Sequence, residues 1–425
     1  MRAKRRAVAT ARRGVVVAVI NQSSFARMRN VSIGWLLLLI VQASFAAVLP
    51  DERVDVLYHG YDGGGVQVDG PSILVRKNIG ASVSVAANYY VDMVSSASID
   101  VVTNGHQGVD LETGASQYSE ERKEASLSGQ YIIDRSTIKL GYVSSEENDY
   151  DATTYSFGID QSFFGDLTTI GMGVSFGDDV VGQNNANGST NPDYKRDLQR
   201  RKYSINASQI VTKNLLASIS LDTATDQCIN LSEDLSCLNN PYRQYRFLNG
   251  TSYDWRFEKY PHTRNSDALG VRAIYYLPYR ASIRAEARQF SDNWGIDADN
   301  FELRYLHPYR DQWLFEVKYR IYQQSGADFY ADLFPYINAQ NYLARDKELS
   351  PFSSNTFGLG VTYKIPVGIV PWFDKSTANF YWDRFDIDYE DFRDLRVSPE
   401  EYAPGEEPLY SLQANVFRVY VSFWF

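Results

Sequence analysis

Four histidines, two cysteines and several runs of mixed charge are the residues whose chemistry would define a site. His59, His106, His262 and His307 are scattered with no metal-ligand spacing. His307 sits in HPYR, a tight turn where packing or an interfacial position explains it. His262, in YPHTR beside an expected strand start, is the one histidine to follow. A hydrolase needs a nucleophile and an oriented base within hydrogen-bond reach, and no arrangement of the abundant loop serines and aspartates points to one. Neither a CxxCH haem site nor a Rossmann glycine pattern occurs. No catalytic, cofactor-binding or metal-ligating residue is therefore nominated, and an enzyme is the least favoured reading.

Charge offers more. LARDKELSPF (343–352) alternates sign within a long connection. Folded inward, Arg345, Asp346, Lys347 and Glu348 would narrow a lumen as charged constrictions do in channels. Folded outward, they would pair locally in water. The apolar FYADLFP just before them favours the inward arrangement. DYEDFRDLRVSPEEYAPGEEP (388–408) and VDLETG (109–114) are acidic but lack calcium-loop spacing, and are read as solvated loops. Arg272, Arg280, Arg284, Arg288, Arg304, Arg320 and Arg418 recur at alternate positions with Glu286, Glu302, Glu316 and Lys318. One set of elements would have to carry them all on one face.

Those elements are strands. In WLFEVKYRIY (313–322), Phe315, Val317, Tyr319 and Ile321 oppose Glu316, Lys318 and Arg320; in DNFELRYL (299–306), Phe301, Leu303 and Tyr305 oppose Glu302 and Arg304. A helix would scatter both faces, whereas a strand separates them. The same period runs through YRASIRAEARQF, TTIGMGVSF and the terminal VFRVYVSFWF.

Connections alternate in length. Short turns are expected near 77–80, 133–136, 164–167, 211–214, 277–280 and 307–310, with a slightly longer one near 365–372. Between them lie connections that are often long and polar, near 92–117, 177–200, 225–263, 321–353 and 389–408, with short ones near 61–64, 145–149 and 291–294. This rhythm is that of a closed antiparallel transmembrane β-barrel with long extracellular loops and short periplasmic turns. It yields about 16 strands, within 14–18, the first near 53–60 and the last near 410–425. Backbone in hydrocarbon must satisfy every N–H and C=O internally, which a closed sheet does and an open sheet edge does not. Aromatics, 14% of the chain, fall near strand ends at Tyr275, Tyr276, Tyr279, Tyr305, Tyr309, Trp313 and Trp372, as interfacial girdles require. Trp382 fits less well, falling inside an expected strand. A large soluble sandwich would explain the alternating faces but not the alternating loop lengths.

The first 46 residues hold eight Lys or Arg and no acid. An apolar run at 35–41 and Ser44-Phe45-Ala46 make them a signal peptide cut before Ala47, with Met28 the expected true start and an unusually long leader the alternative. Residues 47–425 form the barrel in this reading. Removing eight basic residues from 42 leaves 34 against 52 acidic ones, a charge near -18 that repels nucleic acid. Cys228 and Cys237 would close a small loop disulfide in an exported protein, the alternative being two free thiols.

YYVDMVSSASIDVV (89–102), SSEENDYDATTYSFG (144–158), FFGDLTTIGMG (163–173), NNPYRQYRFL (239–248), EKYPHTRNSDALGVRAIYYLPYRA (258–281), DNWGI (292–296) and ADFYADLFPYINAQNYLARDKELSPFSS (327–354) resemble the bacterial domain-of-unknown-function family DUF3570. The resemblance covers nearly the whole mature chain. It implies a barrel in the outer membrane of a Gram-negative bacterium, with membrane lipids and the outer-membrane assembly machinery as partners. The aromatic terminus, Phe425 last, resembles the strand that this machinery engages. Family genes often lie beside those of a small lipoprotein, a thioredoxin-like protein and a flavin-attaching protein, so a lipoprotein or periplasmic redox partner is also implied. No cofactor is expected on the chain itself. The expected role is a channel, or the membrane shell for an exported substrate or partner. The alternative is a non-conducting surface protein acting through its long loops, with a barrel hydrolase third.

Overall fold

A computed structural model describes residues 48–96, 118–185, 189, 191–229, 236–238, 240–397 and 401–425. The leader, His106 and VDLETG lie outside the described residues. Sixteen antiparallel strands close into one barrel. They are β1 (Arg53–Gly63), β2 (Val66–Ile79), β3 (Val83–Ser96), β4 (Tyr118–Ile133), β5 (Ser136–Glu146), β6 (Tyr150–Phe163), β7 (Thr168–Val181), β8 (Arg196–Thr212) and β9 (Leu215–Ile229), then β12 (Thr263–Tyr276), β13 (Ser282–Asp292), β14 (Asp297–Tyr309), β15 (Trp313–Gln324), β16 (Phe352–Ile365), β17 (Lys375–Arg393) and β18 (Leu409–Trp424). Between β9 and β12, a separate hairpin forms from β10 (Gln244–Asn249) and β11 (Ser252–Phe257). Strands adjacent in the barrel are also consecutive in the chain, apart from this hairpin, and β1 pairs with β18 to close the ring.

All sixteen expected strands are present, and the seven turns expected on the periplasmic side, from 77–80 to 365–372, lie on one rim. Most strands run further toward the other rim than the hydrophobic period suggests. On β7, Ile170, Met172 and Phe176 face outward and exposed, and Asp178 follows them on the same face. On β15 the outward series Phe315, Val317, Tyr319 and Ile321 ends at Gln323. The apolar alternation thus marks a belt of about four outward residues per strand, and the hydrogen-bonded ladder continues beyond it into polar surroundings. Such a belt, wrapped around a barrel with no free edge, is a surface made for hydrocarbon. Among the described residues no helix is long and apolar enough to cross a membrane; the strands cross instead.

The belt also places Trp382. It faces outward beside Leu359 and Phe417, and the next outward residues on β17 are Arg384 and Asp386. Trp382 therefore lies at the loop-side edge of the belt, where its Nε1 donates to Asn415 Oδ1 at 3.1 Å. On the opposite edge Tyr275, Tyr276, Tyr279, Tyr309 and Trp372 are exposed near the short turns.

Arg280 corrects the sequence reading. It does not point inward: it lies in the turn before β13 at φ +70°, its N–H donates to Leu277 O at 3.1 Å, and its exposed guanidinium lies 3.3 Å from Asp311. The alternation Arg280, Ser282, Arg284 runs through the turn without a break in residue type, so period alone set the strand end too early.

Candidate functional site

Inward-facing residues line the lumen wall with ion pairs set among small polar residues. From β12 to β18 the wall is charged. Glu286 accepts from Arg272 at 2.8 Å and Arg284 at 2.7 Å; Arg304 pairs with Glu302 at 2.5 Å and Glu316 at 3.0 Å. Asp383 takes Lys318 and Arg418, both at 2.6 Å. Glycine makes room for this last pair: a Cβ at Gly358 would collide with Asp383 Oδ1 and lie 2.8 Å from Lys318 Cε. From β6 to β9 the inward face carries Ser156, Gly158, Gly173, Ser204, Asn206 and Ser220, with Asp160 held by Lys139 and Lys202 by Asp222 among them. A sixteen-strand barrel is about 30 Å across, and such small side chains cannot fill it.

Above this layer the loops make a folded cap. The connection from β9 to β12 begins at the disulfide Cys228–Cys237, which confirms the expected bond and fixes the loop to its strand. It then spans the mouth. Tyr242 donates to Asp149 of the β5–β6 turn and accepts from the backbone N of Asn184 at 2.6 Å, in the β7–β8 connection. Further along, Phe247 bridges to Phe334 and Lys259 to Leu343, both in the β15–β16 connection. Arg246 reaches Glu407 in the β17–β18 connection at 2.6 Å. Loops from widely separated parts of the rim meet only if the chain crosses the opening.

Two kinds of interaction hold the cap. Tyr260, Trp294, Ile296, Ala327, Phe329, Ala344 and Leu349 form one apolar core, and Tyr245, Phe247, Phe334 and Leu343 another. Between them lies a buried charge network. Arg246, fully buried, forks onto Glu407 and also pairs with Asp332. Asp332 receives Arg345 Nε at 3.1 Å and the backbone N of Arg393 at 3.0 Å as well. Burial would raise the Glu407 pKa, but the Arg246 hydrogen bonds and the backbone N–H of Gly405 outweigh it and hold the carboxyl below its ordinary range. Burial presses Arg345 down, with Asp332 only partly offsetting it; a guanidinium remains charged nonetheless. Burial and the nearby Glu258 carboxylate push Tyr260 well above its usual value.

The expected inward fold of 343–352 is thus present in altered form. Arg345 and Asp346 are buried within the cap, Arg345 on Asp332 and Asp346 on Arg243 and Tyr260. Glu348 and Leu349, in a single 3-10 turn (Lys347–Leu349), roof a cavity below. The acidic stretch 388–408 is not simply a solvated loop, because Glu407 is buried as the partner of Arg246.

That cavity, of about 550 Å³, lies between cap and wall. Arg264, Arg288, Asn300, Arg320 and Tyr322 line its strand side; Arg243, Tyr260, Asp346 and Glu348 line its roof. Arg264 pairs with Asp292 at 2.7 Å and packs over Trp294. Gln324 Nε2 donates to Glu348 O at 2.9 Å and Ser350 O at 2.8 Å, tying wall to roof.

The three described histidines do not converge. His59 faces the lumen, 2.6 Å from Asp92 and 3.0 Å from the Tyr90 hydroxyl. The His262 carbonyl accepts from Cys228 N, and His307 stacks on Tyr305 near the short turns. Among the described residues no group of three His, Cys, Asp or Glu is placed to hold a metal ion.

These features define a closed sixteen-strand transmembrane-type β-barrel with a structured cap. Residues 40–371 match the family described as "Protein of unknown function (DUF3570)", and the chain belongs to that family. No curated protein matches. Among solved structures, the chain is similar to a "Bacterial polysaccharide outer membrane secretin" at 7% identity and TM-score 0.43, covering 88% of this chain and 99% of the other. It is similar to a Pseudomonas aeruginosa FadL homologue at 9% identity and TM-score 0.42, covering 88% and 91%. Against the siderophore receptor PirA of Acinetobacter baumannii it has 9% identity and TM-score 0.42, covering 86% of this chain and spanning only 57% of that receptor. Values this low carry no statement about activity.

Proposed function

We propose that this protein is a gated channel in the outer membrane of a Gram-negative bacterium, its lumen filled with water and its extracellular mouth held shut by the cap. Residues 1–46 are the leader removed on export, and 47–425 the working barrel. One observation supports the reading above others: the inward face sets ion pairs among serines and glycines around a barrel too wide for those side chains to fill. The loops that cross the mouth supply the gate. The lipoprotein or redox partner implied by family resemblance would meet the short-turn rim.

Conductance tests this. The mature chain in a planar bilayer is expected to give brief, infrequent open steps, and deletion of the β10–β11 hairpin to give long ones. Silence from both proteins, each heat-modifiable on gels, would sink the channel. It would favour the second reading, a surface-binding protein, for which the observation is the apolar set Phe257, Tyr336, Ile337 and Tyr342 exposed on the cap.

A further inference from the structure

The charged groups lining the cavity are not equally satisfied. Arg264 has Asp292, Arg288 has Asp222 at 3.2 Å, and Arg200 has Asp179 at 2.9 Å. Arg320 differs. Its register partner across β14 is Glu302, but that carboxylate turns to Arg304. Among the described residues Arg320 has no carboxylate within ion-pair distance; its Nε donates to Asn300 Oδ1 at 2.5 Å, and its guanidinium lies over Tyr322, 5.6 Å from the ring centre. Both contacts orient the fork and neither neutralises it. The two terminal nitrogens are left without a protein acceptor among the described residues, on the wall of a cavity of about 550 Å³, a size that suits a small solute.

We infer that this cavity binds a small oxyanion-bearing solute, a carboxylate or a phosphate, through Arg320, with Arg288 beside it as the second cation. A planar guanidinium with two free parallel N–H groups matches either anion in bidentate fashion. Tyr322 and Phe290 on the same wall give the organic part of the solute an apolar surface. Asp226, Asp346 and Glu348 also line the cavity. They disfavour a polyanion and limit the solute to one or two negative charges. As a statement about transport the inference rests on the channel reading; as a statement about binding it does not.

The test is calorimetric titration of the mature protein in lipid nanodiscs with succinate and, separately, with inorganic phosphate, using choline as a cationic control. Saturable binding of one anion is expected, with no saturable binding of choline. Arg320→Gln is expected to weaken it at least tenfold and Arg320→Lys by a few fold, whereas Arg272→Gln, outside the cavity, leaves it unchanged. Which anion binds separates carboxylate from phosphate. Binding of neither, equal affinity in Arg320→Gln, or equal binding of choline overturns the inference. Should Arg320→Gln fail to show heat-modifiable mobility, Asn300→Ala is the second variant: it removes the hydrogen bond that anchors the fork among the described residues and must lower affinity. Binding without bilayer current would remove the channel and leave the site; current without binding would remove the site and leave the channel.

Discussion

Arg246 and Glu407 are 161 positions apart in the chain, yet meet through two hydrogen bonds of 2.6 and 3.1 Å, the guanidinium fully buried. The pair joins the hairpin connection to the last long loop, so it locks the cap laterally. Removing one partner of a buried pair leaves the other charge unpaired and costs about 3–5 kcal/mol. Arg246→Met is expected to release the cap while the barrel ladder stays intact. Limited proteolysis should then cut within 240–262, and bilayer recordings should show longer openings.

Acid should do the same without mutation. Glu407 has its pKa held below the unfolded value of about 4.3. A depressed carboxylate contributes stability that is complete above the unfolded pKa and disappears as pH falls through the folded one. The cap is therefore expected to stay shut from neutral pH down to about pH 5 and to loosen only below the ordinary carboxylate range. Open probability measured against pH checks this; opening already between pH 8 and 6 would contradict it.

The belt predicts a contrast along β15. Val317 faces outward in the middle of the apolar series and Gln323 lies beyond its end. Val317→Arg should cost about 2–4 kcal/mol on folding into lipid vesicles, and Gln323→Arg at most about 1 kcal/mol. Equal costs would mean that the belt is misplaced.

Replacing Cys228 and Cys237 by serine opens a loop closed across 9 positions. Loop-closure entropy puts the loss at about 2–3 kcal/mol, felt by the cap connection rather than by the barrel. Faster proteolysis after 237 with unchanged heat-modifiable mobility is the expected result. An intact protein insensitive to this change would mean that the contacts of Tyr242 and Arg246 and the apolar cores hold the crossing without the disulfide.

The barrel was legible because each strand repeats one local rule, an apolar residue at every second position, and because turns and loops alternate. Arg280 escaped the rule because a turn residue continued the alternation. The cap was largely illegible, since its determinants pair across 86 and 161 positions, as Arg246 does with Asp332 and Glu407. Two local signals existed. FYADLFP carried apolar bulk that water would not favour, and it supplies Phe329 and Phe334 to the cap cores. In YRFLNGTSYDW, Asn249-Gly250 between alternating residues announces a hairpin, and Gly250 takes φ +66° at the first loop position. Arg320 could be placed on the inward face by period, but its lack of a partner depends on where Glu302 turns, which no local pattern encodes.

The seam between β1 and β18 has a kinetic meaning. Most other neighbouring pairs in the ring can zip from a turn already in hand, whereas this one joins the two ends of the barrel and has the largest sequence separation of the described strand pairs. It is also sterically exacting: a Cβ at Gly63 would collide with the Cβ of Ala414 across it. Until that last zipper closes, both end strands show open edges to lipid. Closure of the ring thus joins strands from opposite ends of the barrel sequence, and a side chain at position 63 would stand in the way of that seam.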